Sequence, residues 1–219
     1  AEEKVDYFRE FQLNQPEGRI ESRTIELDCN TAIDEGLYSF TFQKTGVTVK
    51  ARYTFTYKWD GKQWLITSHH SSRLPTEQAP PEEPVHAVAR HSEVCVAASE
   101  QEIEALLDRW KESLQSGNAH KVMTHYAAKS VLLPLSSTKP RLTLDDKEAY
   151  FRHFLKDRPS VQVQSRTIEL DCNTAIDDGL YTLTFQKTGS IVNARYSIVY
   201  KWDGLQWLIT SDHSSMYPQ

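Results

Sequence analysis

The sequence predicts an α+β fold, with helices laid across one face of a curved antiparallel sheet, and three observations predict it. First, the stretch SRTIELDCNTAID occurs at Ser22–Asp34 and again at Ser165–Asp177, and the register between the two copies holds without a gap from Tyr7/Tyr150 to Pro75/Pro218. Second, apolar residues between Ser99 and Lys156 recur at three- and four-residue spacing, the period of a helix buried on one side. Third, the chain after Pro159 turns to β-branched and aromatic residues separated by glycine-containing turns. Helices followed by a run of strands that can pair with their neighbours is the α+β order.

The elements follow in turn. Residue 1 falls opposite Leu144 of the second copy and AEEKVDYF aligns with LDDKEAYF, so Gln101–Thr143 has no counterpart in the first copy. Residues 1–75 are therefore expected to be a truncated repeat, holding only the third helix and the sheet. Residues 76–98, rich in proline and glutamate and free of aromatic residues, are expected to be a linker that ends in an apolar arm, Val85–Ala98. Residues 99–219 are the complete repeat. Its first helix starts at Ser99 with Glu102 three residues on, carries Ile103, Leu106, Leu107, Trp110 and Leu114, and stops at Gly117 and Asn118. A short helix AHKVMTHYA, a strand SVLLPL and a third helix from about Leu144 to Lys156 follow. Tyr126, Tyr150, Phe151, Phe154 and Trp110 are expected in the core or as walls of an apolar pocket.

Asp203-Gly204 is a hairpin signal. Taken as a two-residue turn, it sets Tyr200 opposite Trp207, Ile198 opposite Ile209 and Arg195 opposite Asp212. One face then collects Tyr196, Ile198, Tyr200, Trp207, Ile209 and His213; its equivalent in the first copy collects Tyr53, Phe55, Tyr57, Trp64, Ile66 and His70, with Arg52 opposite His69.

Bulk properties remove several classes. A formal net charge of −5 gives no basic footprint for nucleic acid. No stretch approaches the ~20 apolar residues of a membrane span, and the polar start carries no signal peptide, so a soluble chain is expected, cytoplasmic or else exported after loss of a targeting segment. Three cysteines are too few for a disulfide scaffold and lack zinc spacing; Cys29 and Cys172, equivalent in the two copies, are expected to be separately buried thiols, with Cys95 exposed. Neither a Ser-His-Asp order, a glycine-rich phosphate loop nor HExxH occurs, so no cofactor and no metal are expected.

The complete copy, EIEALLDRWKESLQSGNAHKVMTHYAAKSVLLP with DDKEAYFRHFL and the closing YKWDGLQWLITSDHSS, resembles the nuclear-transport-factor-like (SnoaL-like) superfamily. Within it, the ending that contains Lys201, Asp203, Gly204, Trp207, His213 and Ser215 is most similar to the association (hub) domain of calcium/calmodulin-dependent protein kinase II and its free-standing bacterial relatives. The resemblance implies a cone of three helices wrapped by a strongly bent sheet, a pocket in the cone, and a flat sheet face that pairs with another copy. Members of the superfamily include cyclases and dehydratases, small-ligand binders and oligomerising hubs.

Candidate pocket residues are Arg195, Asp212, His213 and Tyr126, with Arg52 and His70 from the first copy. Arg195 beside Asp212 suits a small organic carboxylate, or is a plain cross-strand ion pair. His213 beside Asp212 suggests acid–base chemistry, but neighbours in a strand point to opposite faces, which argues against a dyad. The sequence thus favours a non-enzymatic self-association module whose aromatic faces Tyr196, Ile198, Tyr200, Trp207, Ile209 and Tyr53, Phe55, Tyr57, Trp64, Ile66 form the interface between copies. The chain itself is the expected partner, within one molecule and in a homo-oligomer; a cyclase, dehydratase or isomerase, or a carboxylate binder, is the alternative.

Overall fold

Ser99 accepts a hydrogen bond from the Glu102 amide at 3.2 Å and opens a helix at the expected place. The structure, a computed structural model, describes residues 2–74 and 95–217. In chain order it contains α1 (Glu2–Leu13), β1 (Pro16–Asp28), β2 (Thr31–Phe42), β3 (Val47–Trp59), β4 (Trp64–Arg73), α2 (Glu100–Gln115), α3 (Ala119–Met123), β5 (Tyr126–Leu133), α4 (Leu144–Phe154), β6 (Pro159–Asp171), β7 (Thr174–Phe185), β8 (Ser190–Trp202) and β9 (Trp207–Met216). The strands form a sheet in the order β1-β2-β3-β4 and a second in the order β5-β9-β8-β7-β6. The fold is α+β. The linker and most of the expected arm lie outside the described residues. No helix among those residues is long and apolar enough to cross a membrane.

Both sheets bend at the same sequence position. β1 carries a bulge between Ile20 and Ser22, and β6 one between Val163 and Ser165. Beside each bulge the neighbouring strand passes so close that only glycine fits: a Cβ on Gly36 would sit 2.1 Å from the Ser22 carbonyl oxygen, and one on Gly179 would sit 2.2 Å from that of Ser165. A bulge raises the local twist and curls the sheet around whatever packs inside it.

In the second copy the inside is filled. Ile103, Leu107 and Leu114 of α2, Val122 of α3 and Phe151 of α4 join Tyr196, Ile198, Tyr200, Trp207 and Ile209 in one buried cluster. Tyr126, Trp110, Tyr150 and Phe154 belong to the same core or pack on it. The helix expected to run through Tyr126 stops at Met123 instead, and Tyr126 begins β5, which runs parallel to β9. The His125 carbonyl accepts from the Ile209 amide at 2.8 Å, which ties this segment to the sheet.

In the first copy only α1 lies on the inner face, and it has no buried residue. Tyr53 is buried and Phe55 and Tyr57 are half-buried, but Trp64 and Ile66 are 44% and 54% exposed. The aromatic face expected to be covered as an interface is therefore partly open in the first copy.

The hairpin register also differs from the expected one. Asp203 Oδ1 accepts from the amides of Leu205 and Gln206, which turns Asp203–Gln206 into a four-residue loop; Asp60 does the same with Lys62 and Gln63. Tyr200 consequently faces Ile209, not Trp207. A bulge then follows between Val199 and Tyr200, so that Ile198 faces Asp212 and Arg195 faces Ser215. One extra residue sends every later side chain to the other face. Asp212 thus points into the cone and His213 away from it, the reverse of the expected arrangement, and no Arg195–Asp212 pair exists. β3 and β4 repeat this geometry: Phe55 faces His69, and Arg52 faces Ser72 rather than His69.

The expectation of separately buried Cys29 and Cys172 thiols fails as well, while Cys95 is exposed as expected. Cys29 is exposed, and Cys172 is half-buried and disulfide-bonded to Cys95, with Cα atoms 4.9 Å apart. The Val96 amide donates to Asn173 Oδ1 at 3.0 Å, which holds the end of the connector beside the β6–β7 turn.

Candidate functional site

Where the aromatic residues of β3 and β8 look inward, the alternate residues Arg52, Thr54, Thr56, Ser197 and Val199 look outward. The outward faces of the two sheets meet. This corrects the expected interface: the aromatic faces are the insides of the two copies, and the contact between copies is made by the polar faces.

The contact has an approximate twofold symmetry that can be followed bond by bond. Thr31 Oγ1 donates to Asp171 at 2.6 Å, and its equivalent Thr174 donates to Asp28 at 2.8 Å. His213 Nδ1 is hydrogen-bonded to Thr54 and His70 Nδ1 to Ser197, each at 3.1 Å and each across the copies. His213 Nε2 lies 3.0 Å from Ser72 and His70 Nε2 lies 2.8 Å from Ser215, again across the copies. The two imidazoles stack at the centre, 3.7 Å apart and 4° from parallel. Ile33, Ile176 and Val199 form an apolar cluster beside them. Lys58 reaches Asp171 and Lys201 reaches Glu26 at the flanks.

Burial and nearby cationic groups decide the protonation of this centre. His70 is pushed down to about 3 and His213 well below the ordinary histidine value, chiefly by desolvation, with the Arg52 and Arg195 guanidinium groups acting in the same direction on both and the His70 ring adding to the effect on His213. Two stacked rings with hydroxyl partners on every nitrogen are neutral at physiological pH. They suit packing rather than proton transfer.

Arg52 is almost completely buried. Its guanidinium donates to the carbonyls of Pro134 at 2.5 Å, Ser137 at 3.2 Å and Ser214 at 2.7 Å, and to Ser72 Oγ at 3.0 Å. Burial lowers its pKa to about 10, which leaves it charged at neutral pH. Glu35, whose pKa burial raises well above the ordinary value, accepts from Ser211 Oγ of the other copy.

Two further sites hold the remaining candidates. Inside the second copy's cone, Tyr126 donates to Asp212 Oδ2 at 2.5 Å and accepts from Trp110 Nε1 at 3.2 Å. Burial raises Asp212 to about 6. The adjoining cavity of about 30 Å³ is lined by Leu135, Phe151, Tyr181 and Leu183 besides Asp212; water, and little more, fits such a space. Arg195 lies elsewhere, half-buried on the wall of a groove of about 740 Å³ between the copies, with Tyr7, Phe8, Ile66 and His69 among its other walls. The six expected pocket residues thus fall in three places: Tyr126 and Asp212 in the cone, Arg52, His70 and His213 at the contact between copies, and Arg195 in the groove, which one side of His70 also lines.

Sequence reasoning missed Thr54, Ser72 and Ser197, which satisfy the buried imidazoles and Arg52. The signal available for Thr54 and Ser197 was their place between inward-facing apolar residues in Tyr53–Phe55 and Tyr196–Ile198; Ser72 lies outside both runs.

With this geometry in hand, comparison with known proteins gives a consistent result. The family model described as "Calcium/calmodulin dependent protein kinase II association domain" matches residues 99–218. Among solved structures, a protein from Xanthomonas campestris described as a calcium/calmodulin dependent protein kinase II association domain is 40% identical with a TM-score of 0.54; the match covers 56% of this chain and 91% of that one. An NTF2-like protein of unknown function from Pseudomonas putida KT2440 is 17% identical with a TM-score of 0.50 over 56% of this chain and 89% of its own, a likeness of fold alone. No curated protein matches the chain.

Proposed function

Because this chain belongs to the calcium/calmodulin dependent protein kinase II association domain family, we propose that it is a non-enzymatic self-association module whose two copies pair back to back and in turn assemble with other chains. Arg52 carries this reading. An arginine that gives up water to donate to three backbone carbonyls of the second copy and to a hydroxyl of its own copy has four of its five N–H groups engaged within the protein, and the three carbonyl bonds join the two copies. The stacked neutral histidines support the same reading, since their ring nitrogens are all engaged in holding the copies together. Exposed Trp64, Leu65 and Ile66 add apolar surface through which chains can associate. Light scattering coupled to size exclusion tests the assembly. The expected particle mass is a multiple of the 25.2 kDa chain at micromolar concentration, and a single-chain particle throughout would overturn it.

A second reading rests on Asp212. A carboxyl with a pKa near 6, next to the Tyr126 hydroxyl in an apolar cone, has the properties of an acid–base group. Turnover of a hydroxyketone that disappears in Asp212→Asn would favour it; failure across a panel of such substrates favours assembly.

A further inference from the structure

We propose that the outer edge of β4, together with Arg195, is a docking groove for an extended segment of the β5 type: a strand that pairs parallel with Ile66–His70 and then turns backbone carbonyls onto the Arg195 guanidinium. The second copy shows what such a groove looks like when it is filled. There β5 runs parallel to β9 through Ile209, Ser211, Asp212 and His213. The residues immediately after β5 present the Pro134 and Ser137 carbonyls to Arg52. By the repeat register, the equivalents of the β9 residues are Ile66, Ser68, His69 and His70, and the equivalent of Arg52 is Arg195.

All five of these residues line the 740 Å³ groove. Among the described residues no strand pairs with the outer edge of β4. Arg195 Nε is buried and has no hydrogen-bond partner among them, whereas Arg52 Nε donates to Ser72 and its Nη1 and Nη2 donate to the Pro134, Ser137 and Ser214 carbonyls. The apolar difference agrees: Ile209 is 0% exposed under β5, and its equivalent Ile66 is 54% exposed. An open strand edge supplies main-chain hydrogen bonds, an adjacent arginine reads carbonyls, and exposed apolar side chains give the segment something to cover. The occupant is therefore a mainly apolar extended segment that ends in a turn, as in YAAKSVLLPLSS (Tyr126–Ser137). A small carboxylate would satisfy Arg195 and leave the strand edge and Ile66 uncovered.

Two experiments on the full chain test the docking. In the first, a fluorescently labelled synthetic YAAKSVLLPLSS is titrated with the protein and followed by anisotropy, with a scrambled peptide as control. In the second, the sequence of residues 101–143 is fused ahead of residue 1, which restores the register of the second copy, and thermal unfolding is followed. Saturable binding of the peptide at least tenfold weaker in Arg195→Ala, or a rise in Tm on fusion that Arg195→Ala largely removes, supports the proposal. Absence of both responses, or responses that Arg195→Ala leaves unchanged, overturns it. Saturable, Arg195-dependent binding of acetate without either response also overturns it, in favour of an anion site. Neither readout depends on particle mass, so failure here and failure of self-association are separate results.

Discussion

Arg52 and Arg195 occupy the same position in the two copies, and their truncation should nevertheless have unequal costs. Arg52→Ala removes four hydrogen bonds and takes the guanidinium donor from the carbonyls of Pro134, Ser137 and Ser214. Each stranded carbonyl costs about 1–3 kcal/mol, but removal of the guanidinium also relieves its desolvation, which the lowered pKa of Arg52 registers. Breaking a buried charged network from one side typically costs about 3–5 kcal/mol net. Arg195→Ala removes a half-buried side chain whose Nε lacks a partner, and loses chiefly the packing of its aliphatic stem, about 1 kcal/mol. The expected gap is thus about 2–4 kcal/mol, read from urea unfolding monitored by tryptophan fluorescence with linear extrapolation. Arg52→Met, which keeps volume and discards the charge, should fall between the two. Equal losses in the two alanine variants, within about 0.5 kcal/mol, would show that the carbonyl cage around Arg52 contributes nothing and that the symmetry of the copies is intact.

Three other outcomes are expected. His70 and His213 stay neutral in the folded chain while the unfolded chain protonates them below pH 6.5, so their contribution is complete above that pH and is lost as pH falls toward about 3, at up to about 1.4 kcal/mol per pH unit for each ring. Asp212, raised to about 6, acts in the opposite direction below that pH, so the comparison is with His70→Asn/His213→Asn, whose stability should fall less steeply between pH 6 and 4.5; coincident slopes would contradict the assignment. Gly36→Ala and Gly179→Ala should each lower stability by more than the ~1 kcal/mol of an ordinary backbone substitution, because the added methyl meets a carbonyl oxygen, and equilibrium unfolding at wild-type levels would refute the close approach. Tyr126→Phe removes the hydroxyl that holds the Asp212 pKa down, so carboxyl NMR titration should place that pKa above about 6.

The helices and the sheet content were legible because their signals are local. Ser99 with Glu102, the 3.6-residue apolar spacing of Ile103 to Leu114, and the β-branched runs after Pro159 each act within one element. The assignment of Asp212 and His213 was not legible, because it depends on a four-residue loop and a bulge that together shift the register by an odd number. An Asp-Gly pair is compatible with both loop lengths, and only the bond from Asp203 to the Gln206 amide separates them. The interface followed the same error. An aromatic face looks like a docking surface until helices are seen to cover it, and Thr54, Ser72 and Ser197 look like solvent-facing hydroxyls until a second sheet is placed on them.

The covalent tandem also changes what a single substitution means at the contact between copies. In a dimer of identical chains, any change at the twofold axis is made twice, and a residue that fits one side must also fit the other. Here each side can change by itself, and some positions already differ: Thr56 stands where the second copy has Val199, and Asp178 where the first has Glu35. Such an interface can become lopsided one residue at a time, one half keeping the cone closed while the other half explores new neighbours.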